Sequence, residues 1–183
     1  ESEMDYEAKL DLTRRWCKEW QFRIGVHYLR SQISAVSAGS QYAELAEITL
    51  SIIWKEVLYE FAKKFGPEPG NGAAVISMGS LGSGMLHANS DLDLIIIYDA
   101  DGNDQSEGDR SLSARQYYSR LTKAFITAIS APMSEGRLYE IDMRLRPSGF
   151  QGPVATSWSS YQNYQKNEAW VWEHLALTRA RAV

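Results

Sequence analysis

A chain of 183 residues, 44% hydrophobic and 23% charged, is long enough for one domain with a real core, or for one domain with a helical extension. Its net charge of -4 argues against a general binder of nucleic acid, which carries a basic excess. Its single cysteine, Cys17, excludes an internal disulfide and fits a reducing cytoplasm. No apolar run approaches the ~20 residues of a membrane span, and no basic stretch followed by an apolar one marks secretion. The chain begins with Glu and stops inside "TRARAV", as expected of a piece of a longer protein.

In chain order, residues 4–35 are expected to be helical, because Leu12, Trp16, Trp20 and Ile24 recur at helical steps. A second helix is expected from Tyr42 to Phe65, with Leu45, Ile48, Ile52, Leu58 and Phe61 on its buried stripe. "GPEPGNG" (66–72) ends it, so residues 1–66 read as a helical segment and 67–183 as the core that it packs on. "AAVISM" (73–78) and the β-branched "LDLIIIY" (92–98) are expected strands. The polar run "DADGNDQSEGDR" (99–110) faintly resembles a calcium loop. It has Asp104 where that loop needs glycine and ends in Arg110 rather than Glu, so it reads as a solvated loop. Residues 114–130 have helical spacing, with Tyr117 and Tyr118 as packing residues. "RLYEIDMRLRP" (137–147) alternates strictly and predicts a strand. Ser157 is a plausible cap for a helix through Lys166, and "EAWVWEHLALTRARA" (168–182) predicts a last helix. Trp170 and Trp172 are expected to serve core packing plus an interface. His27, His87 and His174 are scattered and read as surface or packing residues. The order helix, helix, strand, strand, helix, strand, helix, helix is that of an α+β fold.

The chemistry concentrates in "GSLGSGMLHANSDLDL". Side chains at i and i+2 of a strand share a face, so Asp91 and Asp93 stand together while Leu92 and Leu94 face away. The 137–147 run repeats the pattern, with Tyr139, Ile141, Met143 and Leu145 on one side and Glu140, Asp142, Arg144 and Arg146 on the other. Neighbouring strands of this kind would gather Asp91, Asp93 and Asp142 at a wet cleft. Crowded carboxylates repel unless a cation neutralises them, and an all-oxygen set suits Mg²⁺ or Mn²⁺. Two such ions can clamp the attacking and leaving oxygens of a phosphoryl displacement. Gly79 and Gly82 let backbone N–H groups approach a phosphate, and the Ser80 hydroxyl can donate to it.

"MGS…SDLDL" resembles the DNA polymerase β-like nucleotidyltransferase superfamily, with Gly79 and Asp91 twelve positions apart. More closely, "GSLGSGMLHANSDLDLIIIYD", "LYEIDMRLRPSGFQGPVATS" and "YQKNEAWVWEHLALTRAR" together resemble the glutamine synthetase adenylyltransferase family. The resemblance implies the nucleotidyltransferase fold, a small mixed sheet packed by helices with an N-terminal helical extension. Proteins of that family are bifunctional and longer. One half moves AMP from ATP to a tyrosine of glutamine synthetase, the other removes it by phosphorolysis, and a PII signal protein acts on the whole. "YEIDMRLRPSG" and "YQKNEAWVWEH" resemble the adenylylating half, whereas the removing half tends to carry a basic residue in place of Glu140. Carried over, Asp91 and Asp93 would ligate two Mg²⁺ ions. Asp142 would hold the catalytic ion and take the tyrosine proton. Gly79 and Ser80 would cradle the β- and γ-phosphates of ATP, with Ser90, Arg144 and Arg146 as further nucleotide contacts. The turn departs from the family's Gly-Lys-Leu-Gly-Gly-x-Glu-Leu at Ser80, Ser83 and Met85. Arg144 or Arg146 is expected to make up for the missing lysine charge.

The alternatives are the adenylyl-removing activity, a regulatory module that binds nucleotide without chemistry, and a small-molecule nucleotidyltransferase. An intact Asp triad argues against the regulatory module, since a degenerate site has little reason to keep charges that repel. The specific match at residues 137–181 argues against a small-molecule substrate.

Overall fold

The computed structural model describes residues 5–100 and 104–183. It is an α+β fold in which two long helices precede a small mixed sheet. Helix α1 (Tyr6–Leu29) buries Leu10, Arg14, Cys17 and Ile24 along one stripe. Helix α2 (Ala35–Phe65) starts earlier than its apolar spacing suggests. The Ser34 hydroxyl accepts from the Ser37 N–H at 3.1 Å, a cap that sets the start. Ala38 is buried, and the Gly39 carbonyl accepts from the Leu86 N–H at 3.0 Å, so tertiary contacts recruit the weakly periodic first turns. The first predicted helix correspondingly stops short, at Leu29 rather than residue 35.

The sheet is built on β2 (Leu92–Tyr98), which pairs antiparallel with β1 (Ala73–Ser77). The register places Val75 opposite Ile96 and Ser77 opposite Leu94, so these four share the core face. Helix α4 (Ala114–Ser130) carries Tyr117, Tyr118, Leu121 and Phe125 into the same core, all essentially inaccessible. The Tyr118 ring stacks on Tyr98 at 4.4 Å, and Trp54 of α2 meets Phe125 edge-on at 5.0 Å. Arg14 is fully buried and donates to the Ala128 carbonyl in the last turn of α4, tying α1 to that helix end. Burial pushes its guanidinium below the usual arginine range.

Two expected elements are corrected. The strand over 137–147 shrinks to β3 (Ile141–Asp142), parallel to β2 with Leu92 opposite Ile141 and Asp93 opposite Asp142. The same segment returns to the same edge of β2 as β4 (Thr156–Ser157), where Thr156 faces Ile97. Between them the chain loops out. Arg146 is turned into that loop, where it donates to the carbonyls of Met143 (2.9 Å), Phe150 (3.3 Å) and Gly152 (3.4 Å). Alternation therefore fails at Arg146, which is buried rather than on the charged front.

The final helix is also shorter than expected. After α5 (Trp158–Asn167), capped by Ser157, α6 spans only Val171–Leu177. The chain then straightens into β5 (Arg181–Ala182), which covers the other edge of β1. Strand order is β3-β2-β1-β5, with β4 also on β2. Helix α6 buries Glu173, which accepts from the Trp170 N–H at 2.7 Å and the Tyr164 hydroxyl at 2.8 Å. Trp170 and Trp172 are consequently 72% and 56% exposed and do not pack the core. The 99–110 loop lies partly outside the described residues. At its C-terminal end Ser106 closes on Leu112 through two hydrogen bonds. No described helix is long and apolar enough to cross a membrane.

The connector 66–72 is held by the tyrosine pair. Tyr117 donates to the Gly66 carbonyl at 3.0 Å and Tyr118 to the Pro69 carbonyl at 2.6 Å. Burial pushes the Tyr117 phenol up to about 12, and Tyr118 rises for the same reason. Tyr118→Phe leaves the Pro69 carbonyl without this partner. The expected cost is about 1–3 kcal/mol of unfolding free energy, read by urea denaturation; an unchanged midpoint would show that the hydroxyl is dispensable.

Candidate active site

The site sits at the beginning of β2. Leu92 and Leu94 are buried on the core face, which leaves Asp91 and Asp93 on the other. The Asp93 main chain is held on one side by the Met78 N–H, which donates to its carbonyl at 2.8 Å. On the other side Asp142 of β3 lies directly abreast of it. The Leu92 N–H donates to the Glu140 carbonyl at 2.9 Å and locks that register. The structure thus brings Asp91, Asp93 and Asp142 to one end of one sheet, with Asp93 and Asp142 on adjacent strands and Asp91 just before β2.

Their charges differ in environment. Partial burial holds the Asp93 carboxyl above the usual range, and the Asp142 and Asp91 charges push it the same way. Asp142 is held below the usual range chiefly by Arg144. The Arg144 Nε donates to its Oδ2 at 2.6 Å, and the Arg144 backbone N–H donates to its Oδ1 at 2.8 Å. Among the described residues no three His, Cys, Asp or Glu side chains are gathered into a cation cage. The donor set nonetheless fits Mg²⁺ or Mn²⁺ in kind and register. It is all carboxylate, and two members lie side by side. The partly buried Asp93 keeps a raised carboxyl, through burial and the Asp142 and Asp91 charges, even with the Arg144 and Arg179 charges acting on it, so a cation there would be favourable. Arg144 currently supplies that neutralisation for Asp142.

Beside the carboxylates, β1 runs into a single helical turn, α3 (Gly79–Gly82). Gly79 has φ +54°, and a Cβ there would collide with the Asp93 carboxylate, so only glycine lets the turn lie against Asp93. The Gly82 and Ser83 N–H groups bond within the turn, to the Met78 and Gly79 carbonyls. The first amides of a helical turn have no intrahelical acceptor and can meet an anion. Ser80 is exposed at this position. The Ser83 hydroxyl donates to the Gly79 carbonyl at 3.0 Å and braces the turn. Ser90 lies outside the turn, where its hydroxyl accepts from the His87 N–H at 3.0 Å and shapes the approach to Asp91.

Arg146 makes its hydrogen bonds to loop carbonyls rather than to the carboxylates, though its charge acts on Asp142 from there. Sequence reasoning missed Arg179. Its charge acts on Asp93, and its carbonyl packs so closely on Gly82 that a Cβ could not fit between them. The signal available was its place inside the distinctive "LALTRAR" stretch; only the return of the chain to β1 puts it over the turn.

The raised Asp93 carboxyl has a sign. The folded state holds this proton more tightly than the unfolded chain, so stability falls as pH climbs from the ordinary aspartate range through the raised folded pKa. Asp93→Asn removes the penalty. Without divalent cations the variant is expected to melt above wild type at pH 7, with the gain vanishing toward pH 3; a lower melting temperature at pH 7 would refute the repulsion.

Comparison with known proteins matches residues 1–183 to the family described as glutamate-ammonia ligase adenylyltransferase. The chain is 45% identical over 184 residues to the bifunctional glutamine synthetase adenylyltransferase/adenylyl-removing enzyme of Mesorhizobium japonicum, covering all of this chain and 19% of that protein. It is 46% identical over 183 residues to the enzyme of that name from Brucella suis, again 100% and 19%. The Agrobacterium fabrum enzyme is 46% identical over 179 residues, 97% of this chain and 18% of that one. The chain spans about a fifth of the length of the relatives it matches. With its whole length matched and its carboxylates set beside a glycine turn, the chain belongs to the glutamate-ammonia ligase adenylyltransferase family.

Proposed function

We propose that this domain transfers AMP from ATP to a tyrosine of glutamine synthetase in the cytoplasm, as the adenylylating module of a longer protein that also answers to a PII signal protein. The observation that carries the reading is the register that sets Asp93 abreast of Asp142 while Gly79 lies against the Asp93 carboxylate. Two features favour adenylylation over removal. Glu140 stands where the removing half tends to be basic, and "YQKNEAWVWEH" resembles the adenylylating half.

In this reading Asp91, Asp93 and Asp142 hold two Mg²⁺ ions. When bound, these supply the positive charge that screens the triphosphate and the carboxylates from one another. The free amides of the Gly79 turn and the Ser80 hydroxyl hold the β- and γ-phosphates. Arg179, whose charge acts on Asp93, takes over the charge that Ser80 lacks relative to lysine. Arg144 shields Asp142 until substrates arrive, then leaves its carboxylate free to accept the phenol proton. The tyrosine oxygen bonds to the α-phosphorus as the bond to the β-phosphate oxygen breaks. Pyrophosphate departs and the proton rests on Asp142, so atoms and charge balance.

The test incubates the protein with ATP labelled in the α-phosphate, Mg²⁺ and unmodified glutamine synthetase, and follows label into protein. Mg²⁺-dependent labelling is expected, exceeding phosphate-dependent release of AMP from the modified form. An excess of release would identify the removing activity. Arg179→Ala is expected to raise the KM for ATP about tenfold with the protein still folded; an unchanged KM would remove Arg179 from the nucleotide site.

A further inference from the structure

The two sides of β2 at the carboxylates are unlike. The glycine turn follows β1 and lies on that side, whereas β3 and the segment leading into it lie on the other. On that second side a cavity of about 390 Å³ opens next to Asp91. Its walls are Asn89 and Asp91 from the approach to β2, and Arg137, Tyr139 and Glu140 from the approach to β3, with Gln21 contributed by α1. Arg137 and Glu140 form an ion pair at its rim, both half-exposed or more. The volume falls within the ~300–1,000 Å³ of small-ligand clefts.

In-line displacement sets the attacking and leaving oxygens on opposite sides of the phosphorus. If the departing pyrophosphate rests on the Gly79 turn, the attacking group arrives from the β3 side. From this we infer that the Asn89–Arg137–Glu140 cavity is the acceptor port. There the target segment docks beside Asp91, read by Arg137, Glu140 and Asn89, and its phenol reaches past Glu140 toward Asp142, the proton acceptor two residues further along the same segment. This inference rests on the transfer reading above and names which face of that site takes the protein substrate.

The port is backed by the core. The Tyr139 ring is buried behind its mouth, and its hydroxyl lies 3.4 Å from the Cys17 sulfur of α1. Gln21, one turn further along α1, lines the port itself. The N-terminal helix thus forms part of the acceptor surface as well as packing the core. The paired charges at the rim match a polar, mixed-charge protein segment better than an ATP triphosphate, whose approach Glu140 and Asp91 would oppose.

The test measures steady-state labelling of glutamine synthetase by wild type, Arg137→Ala and Asn89→Ala, varying each substrate in turn. The expected result is a KM for the protein substrate raised about tenfold in both variants, with the KM for ATP within about twofold of wild type. Arg120→Ala, on the exposed surface of α4, serves as the control and is expected to match wild type. The same split is expected with modified glutamine synthetase and phosphate should removal be the activity, because the tyrosine then occupies the same port. A raised KM for ATP with an unchanged one for protein, or no change in either, would overturn the assignment while leaving the transfer reading intact. A wild type inactive in both directions would overturn both.

Discussion

The contact on which the site depends is that of Asp93 with its two neighbours. Its main chain is tied to the end of β1 through Met78, its side chain lies against Gly79, and Asp142 is abreast of it in the next strand. A partly buried carboxylate placed beside two others is unfavourable by itself. The fold tolerates it because β2 is anchored elsewhere. Leu92, Leu94 and Ile96 are buried against the helices, and Tyr98 stacks on Tyr118 at the far end. Hydrophobic burial on one face of a strand thus holds charge repulsion on the other, an arrangement suited to a cation-dependent centre.

The arginines divide three ways, and their burial explains the division. Arg144 is exposed and free to pair with Asp142. Arg146 is buried and can satisfy its guanidinium only on the carbonyls that surround it, so it shapes the loop between β3 and β4. Arg179 arrives from the far end of the chain, because β5 completes the sheet on the edge of β1. Two arginines only two residues apart, Arg144 and Arg146, therefore differ in task, one paired directly with Asp142 and the other holding the loop and reaching Asp142 through its charge alone. The cation that acts on Asp93 from the glycine-turn side comes from a segment that reads as a plain helix end.

The N-terminal helices bear on the site as well as on stability. Arg14 grips the last turn of α4, Cys17 meets the Tyr139 hydroxyl, and Gln21 reaches the cavity beside Asp91. These three positions follow one stripe of α1. One helix face therefore links the core to the segment that delivers Asp142.

The sequence by itself determined the two long helices, the β1 and β2 strands, the Ser157 cap and the pairing of Asp91 with Asp93 on one face. These features are written in local periodicity and in cap and turn chemistry, which neighbours a few residues apart enforce. The motif resemblance also identified the family. Tertiary structure decided the rest. Strict alternation over 137–147 predicted a full strand, but β2 offers a partner only at Ile141–Asp142 and again at Thr156–Ser157, so the intervening residues loop out around Arg146. The helical pattern of "EAWVWEHLALTRARA" yielded at Leu177 to the unfilled edge of β1, and its tryptophans were left outside because Glu173 took the buried position. Strand ends and edge partners are contacts between distant segments. No local pattern encodes them, which is why Arg179 and the cavity beside Asp91 became visible only in three dimensions.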